Sequence, residues 1–147
     1  MLQLARALTH SLAVALVSSL IVVGSGTASP AGAMDAKTTI HPAWGRTSTK
    51  AHVLKPSCRN YGYSYAITPP KGDWAMETFL IGPGGVHLSS GAMAIGMDGL
   101  TGHDRFRFCR PSTRPGIFKI KALITVQDDQ GKDYQQGWLP VTRFRLR

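Results

Sequence analysis

The sequence predicts an all-β protein, an antiparallel β-sandwich of about seven strands. Two observations carry that expectation. Turn signals recur at short intervals: Lys55-Pro56-Ser57, Pro69-Pro70-Lys71-Gly72, Gly82-Pro83-Gly84-Gly85, Met97-Asp98-Gly99, Pro111 to Gly116, and Asp128 to Gly131. Between them lie short runs rich in β-branched and aromatic residues, several alternating with the period of two that suits a half-buried strand. Breakers spaced this closely leave almost no room for a long helix.

Taken in order, the chain opens on a targeting segment. Residues 1–10 hold one Arg and no acid, residues 11–24 are uncharged and mostly apolar, and residues 25–33 are small and end in Ala31-Gly32-Ala33. That order predicts a secretory signal peptide over 1–33 cut after Ala33, with Ala28 as an alternative cut. The 14-residue apolar run is shorter than the ~20 residues a helix needs to cross a bilayer, so release outside the cell is expected instead of membrane anchoring. Leu139-Pro140-Val141-Thr142 resembles a wall-sorting signal, but Arg143 follows it and no apolar tail comes after. Residues 34–49 are polar and aperiodic, which predicts a flexible lead-in, pinned at Ile40 and Trp44, to a single domain over 50–147.

The strands follow. One is expected over 50–54. Tyr61, Tyr63, Tyr65 and Ile67 then alternate with small residues. Residues 73–81, DWAMETFLI, are apolar on both parities and read as a central strand, with a short helix as the alternative that the flanking Gly72 and Gly82-Pro83 disfavour. A strand over 86–95 comes next, then Phe106 and Phe108 alternating with Arg105 and Arg107. Phe118, Ile120, Ala122, Ile124 and Val126 alternate with Lys119, Lys121 and Thr125. Val141, Phe144 and Leu146 interleave with Arg143, Arg145 and Arg147, with a slip near Thr142 suggesting a bulge.

Composition narrows the function classes. The chain has 147 residues, 17 Lys+Arg against 8 Asp+Glu, and a hydrophobic fraction of 43%. That excludes a wholly disordered chain and leaves little length for a two-domain enzyme. Beyond residue 33 the net charge is +8. The two cysteines, Cys58 and Cys109, are expected to form one disulfide because an exported chain meets an oxidising compartment. A reactive thiol pair is the alternative, and it lacks C-x-x-C spacing.

Pro115-Gly116-Ile117-Phe118-Lys119-Ile120-Lys121-Ala122, the Asp128-Asp129-Gln130-Gly131 turn and a last strand through Phe144 resemble the end of bacterial immunoglobulin-like domains. The whole arrangement is similar to small secreted actinobacterial proteins of that architecture. The resemblance implies an immunoglobulin-like sandwich with a binding or surface role and no catalytic residues. Two long runs follow Cys109, where an antibody-type domain has one strand, and Arg107 stands where that domain has Tyr. Cys109 also shares parity with Arg105 and Arg107, and Cys58 falls opposite the tyrosine stripe. The bridge is therefore expected at the rim of the sandwich, away from its centre.

Several constellations compete for a function. Lys119, Lys121, Arg143, Arg145 and Arg147 would share one outer sheet face if the last two strands, 117–126 and 134–146, pair as an antiparallel hairpin around the Asp128–Gly131 turn. That face could grip an anionic cell-wall or extracellular polymer, or else be a solvated surface that discourages strand pairing at an edge. Nucleic acid is disfavoured, because the aromatics of these two strands point inward. The tyrosine stripe is either a carbohydrate or peptide platform or sandwich packing. Asp128, Asp129 and Asp133 are either calcium ligands or, as their spacing favours, a plain turn. His41, His52, His87 and His103 lack metal-ligand spacing, and no cofactor motif occurs. Ser89 or Ser90, His103 and Asp104 include the types a hydrolase needs, but adjacent strand residues face opposite ways.

The expectation is thus a monomeric, non-catalytic binding protein with no metal or cofactor, acting on an anionic polymer or a protein partner. The alternative is an exported hydrolase inhibitor presenting Arg110-Pro111-Ser112-Thr113-Arg114-Pro115, where Pro115 makes the bond after Arg114 a poor trypsin-type cleavage site. The exported form is expected to begin at Met34. Its intact mass tests this: a mass matching all 147 residues refutes it.

Overall fold

The structure, a computed structural model, describes residues 39–147; the expected signal segment and its expected cleavage site lie outside the described residues. Eight strands form two antiparallel sheets packed face to face: β1 (Gly45–Ser48), β2 (Cys58–Ile67), β3 (Asp73–Ile81), β4 (His87–Ala94), β5 (Thr101–Cys109), β6 (Gly116–Gln127), β7 (Tyr134–Trp138) and β8 (Thr142–Leu146). The first sheet runs β1-β2-β5. In the second, β4, β3 and β6 lie in that order, and β7 and β8 share the remaining side of β6. Three single 3-10 turns, at Pro42–Trp44, Pro83–Gly85 and Arg110–Ser112, are the helical elements among the described residues.

Eight strands replace the expected seven for three local reasons. The lead-in supplies β1, a polar four-residue strand paired with β2, whose buried Thr47 Oγ1 lies 2.7 Å from Thr142 Oγ1 of the other sheet. Residues 50–54 are not a strand. They run past the end of β8, where the Leu54 N–H donates to the Arg147 carbonyl at 2.9 Å and the Arg147 N–H to His52 at 3.2 Å, and Leu54 plugs the core. Finally, the last expected strand is split. Opposite Lys121 and Ala122 of β6 stand three residues, Leu139-Pro140-Val141, so the register steps by one between β7 and β8. Leu139 stays in the core and donates its N–H to Ala122 at 2.9 Å, while Pro140 has none to give. The sorting-like sequence is part of the packing.

The inward rows are as the alternation predicts. Tyr61, Tyr63, Tyr65 and Ile67 of β2 and Phe106 and Phe108 of β5 meet Phe118, Ile120, Ala122, Ile124 and Val126 of β6, and all are buried. Tyr61 stacks on Phe108 and Tyr63 on Phe106, with ring centres 4.3 and 4.5 Å apart, so the tyrosine stripe is packing and presents no outer platform. Strand β3 is central, between β4 and β6, and extended throughout. Trp74, Met76, Thr78 and Leu80 point inward, whereas Phe79 and Ile81 are half-buried on the outer face. Trp44 packs against the core from the lead-in, and Ile40 bridges to Trp138.

One polar cluster sits inside the apolar interior. The Tyr63 hydroxyl donates to Asp104 Oδ2 at 3.0 Å and lies 2.9 Å from Thr78 Oγ1, which is 3.3 Å from the Gly91 carbonyl. Strands β2 and β5 of one sheet are thereby joined to β3 and β4 of the other. Gly91 makes the room: a Cβ there would stand 3.0 Å from both Asp104 Oδ2 and Thr78 Oγ1. Burial pushes the Tyr63 phenol well above the usual tyrosine range, so the folded state favours its protonated form. That contribution to stability is intact below about pH 10 and is lost as pH rises toward the folded-state value.

Cys58 and Cys109 are bonded and directly opposite each other where β2 and β5 meet the connection to β6. The bridge lies within one sheet, at its rim, with Cys58 exposed. The Arg110 N–H donates to Ser57 at 3.1 Å just beyond it. A closed loop of about 50 residues implies ~4 kcal/mol in the chain-entropy picture. Reduction is therefore expected to lower the melting temperature by on the order of 15 °C. Unchanged melting on reduction, or alkylation of both cysteines without a reductant, refutes this.

Candidate functional site

The five cations singled out by the sequence come together on the second sheet because β6 and β8 pair antiparallel. Lys119 lies directly opposite Arg143, and Ile117 opposite Arg145. Outward-facing residues alternate with Phe118, Ile120 and Leu146 beneath them, so the face is fixed by the core. Lys119, Arg143, Arg145 and Arg147 are exposed. Lys121 is half-buried, its Nζ 4.3 Å from the centre of the Trp138 ring. Among the described residues, none of the five has an acid within salt-bridge distance. Among the described residues the ion pair present is Lys71–Asp129, at 3.6 Å and fully outside this face. Glu77 shares this face, opposite Leu123 and diagonal to Lys121, and Asp133 lies in the β6–β7 turn; neither forms an ion pair with the five.

The face continues into a cleft. Residues 49–53 run beside β8 and enclose about 560 Å³ with it, lined by His52, Val53, Phe144, Arg145 and Arg147 among others. Two of the expected cations thus border a concavity with an apolar wall, a setting suited to an anionic group on a partly apolar ligand.

An aromatic strip crosses the same sheet face. Trp138 of β7, Phe79 of β3 and His87 of β4 follow one another with ring centres 5.9 Å apart at each step, tilted by 46° and 54°. Residues 39–41 hold Trp138 in place: its N–H donates to Thr39 at 3.0 Å and its carbonyl accepts from His41 at 2.8 Å. His41 in turn stacks on Trp44 at 4.2 Å, over Gly137, where any Cβ would strike the imidazole. Sequence reasoning missed this strip. Its signal was the doubled apolar parity of residues 73–81, which reflects an outer-face cluster added to the inner row.

Charge is also segregated along the strands. Asp73, Asp98, Asp128, Asp129 and Asp133 gather where β3 begins and β6 ends, and Lys71 and Lys132 among them offset only part of their charge. Lys55, Arg59, Arg110, Arg114, Arg145 and Arg147 gather at the opposite, disulfide-bearing end.

The other candidates disperse. His103 points outward and its Nδ1 lies 2.9 Å from Ser64 Oγ, while Asp104 points inward to Tyr63; Ser89 and Ser90 are on β4, in the other sheet. Asp128 Oδ1 accepts the Lys132 N–H at 2.7 Å, and this backbone hydrogen bond chiefly holds its carboxyl below the usual range, the signature of a turn. His41, His52, His87 and His103 lie in four different surroundings. In the 110–115 loop, Arg110–Ser112 is coiled into a 3-10 turn held by Ser112 Oγ donating to the Cys109 carbonyl at 2.7 Å.

Comparison with protein-family models and with curated proteins returns no match.

Facing like charges weaken a strand pair by a few tenths of a kcal/mol up to about 1. Arg143→Glu turns the repulsive pair with Lys119 into an attractive one. It is expected to raise unfolding stability by about 0.5–1 kcal/mol at low ionic strength, with the gain shrinking at high salt. Denaturant titration measures this, and an unchanged or lowered stability at low salt refutes it.

Proposed function

We propose that this is a secreted, non-catalytic binding protein that holds an anionic cell-surface or extracellular polymer on the outer face of its second sheet. The observation that carries the proposal is the set of five cations on one face without an acid partner, two of them directly opposed across strands. A fold selected for stability alone has little reason to keep Lys119 against Arg143, whereas an anionic ligand turns that repulsion into attraction. The net charge of +8 beyond residue 33 adds a long-range field of the same sign.

The disulfide and the signal-like first 33 residues support export, and no helix among the described residues is long and apolar enough to cross a membrane. We read the sandwich as immunoglobulin-like. The order β1-β2-β5 against β4-β3-β6-β7/β8 corresponds to an A-B-E sheet facing a C′-C-F-G sheet, with the last strand broken in two. The disulfide departs from the antibody pattern, since it joins neighbours within one sheet and does not span the two.

The test is retention on heparin and teichoic-acid columns at rising salt. The protein is expected to elute well above about 0.15 M salt, where exposed charges more than a Debye length apart are already screened. Replacing Lys119, Lys121, Arg143 and Arg145 with Gln is expected to abolish that retention with melting behaviour intact. Replacing Arg46, Lys50, Lys71 and Lys132 with Gln, an equal loss of charge elsewhere, is expected to leave most of it. Equal weakening by both sets, or elution of the native protein below 0.15 M, overturns the proposal.

A further inference from the structure

We infer that the ligand is an acidic polysaccharide whose sugar rings lie along the Trp138–Phe79–His87 strip while its acid groups meet Lys121, Lys119 and Arg143. The inference rests on the cationic-face proposal and adds to it the chemistry between the charges. Phe79 and Trp138 are each half-buried on a sheet face that points away from the core, so part of each ring remains open. An aromatic ring offers a flat apolar surface that matches the C–H face of a sugar. Lys121 sits in the same patch, its Nζ 4.3 Å from the Trp138 ring centre and its strand position directly opposite Phe79. Lys119 follows two residues along β6, with Arg143 across from it. Rings and charges therefore adjoin on one sheet face, brought there by five strands, β4, β3, β6, β7 and β8.

That juxtaposition separates the anionic polymers. A linear polyphosphate or polyol phosphate would use the cations and leave the rings idle. Single-stranded nucleic acid stacks its bases on open aromatic faces. Here the steps between rings are tilted by 46° and 54°, and Lys121 covers one face of Trp138. A polysaccharide needs no parallel stack, because each sugar meets its own ring at its own angle. A ring-bearing chain with a carboxylate or sulfate on it uses every element of the patch.

The experiment compares three polyanions at matched charge, polygalacturonate, linear polyphosphate and poly(dT), with a neutral glucan, all at one ionic strength. Affinity for each is measured for the native protein, Phe79→Thr and Trp138→Thr, Thr being chosen because it suits a strand. Polygalacturonate is expected to bind tightest, and each substitution to weaken it about three- to tenfold with polyphosphate affinity unchanged. Equal binding of polyphosphate or poly(dT), or equal weakening of all probes by the substitutions, overturns the glycan assignment and leaves the cationic face standing if the four-fold Gln variant still loses them all. Failure of the native protein to bind any polyanion overturns both. Should either variant misfold, tryptophan fluorescence of the native protein decides: a change with polygalacturonate and none with polyphosphate is expected, and identical responses refute the inference.

Discussion

Side chains on β6 change sides at every residue, and the rest of the molecule is arranged around that alternation. Its inward row, Phe118, Ile120, Ala122, Ile124 and Val126, is at most 2% exposed and contributes to the core along its whole length. Its outward row carries Lys119 and Lys121. Burying a large apolar side chain is worth roughly 1.5–3 kcal/mol, so this row outweighs by an order of magnitude the few tenths lost where Lys119 faces Arg143. A slip of one residue would drive the lysines inward and the apolar row into water. The register is held from both sides, by β3 along nine residues and by β7 and β8 in succession. The positions of the outward cations are thus set by the core's geometry and cannot be shifted without losing it.

Two further devices set how the sheets meet. Tyr61, Phe108, Phe118 and Phe144 form a run of ring contacts from the first sheet into the second, with centres 4.3, 5.9 and 5.6 Å apart, near the disulfide-bearing end. Closer to the middle, the Tyr63–Asp104–Thr78 cluster replaces apolar contact with hydrogen bonds. Among the described residues no buried side-chain polar atom lacks a partner. Removing one member would leave the others unsatisfied at a cost of about 1–3 kcal/mol, so the cluster penalises any other sliding of sheet on sheet.

Much of this was legible in the chain. Alternation alone placed β2, β5, β6 and β8 and told inside from outside on each, and parity placed the cysteines at the rim. The polar strand β1 was not legible, since Arg46 and Ser48 face water and only Thr47 turns inward. Residues 50–54 have a strand-like composition, yet their backbone meets only the end of β8. The break at Leu139-Pro140-Val141 appeared as a slip because parity records an extra residue without saying how the chain absorbs it. For the site, the cations could be read from spacing. Trp138, Phe79 and His87 could not, because they come from three strands whose neighbours are decided by sheet order. The lack of acid partners is likewise a property of three dimensions.

The separation of acids from cations along the sandwich matters most at a distance. Strand β6 alone, with twelve residues, is about 40 Å long, several times the Debye length of about 8 Å at physiological ionic strength. The two ends of the molecule are therefore electrostatically independent, each screened from the other's charges. The 95–100 loop, where Ile95, Met97 and Leu100 are exposed, lies at the carboxylate-rich end, out of range of the field around the disulfide. A charge change at one end leaves the potential at the other as it was.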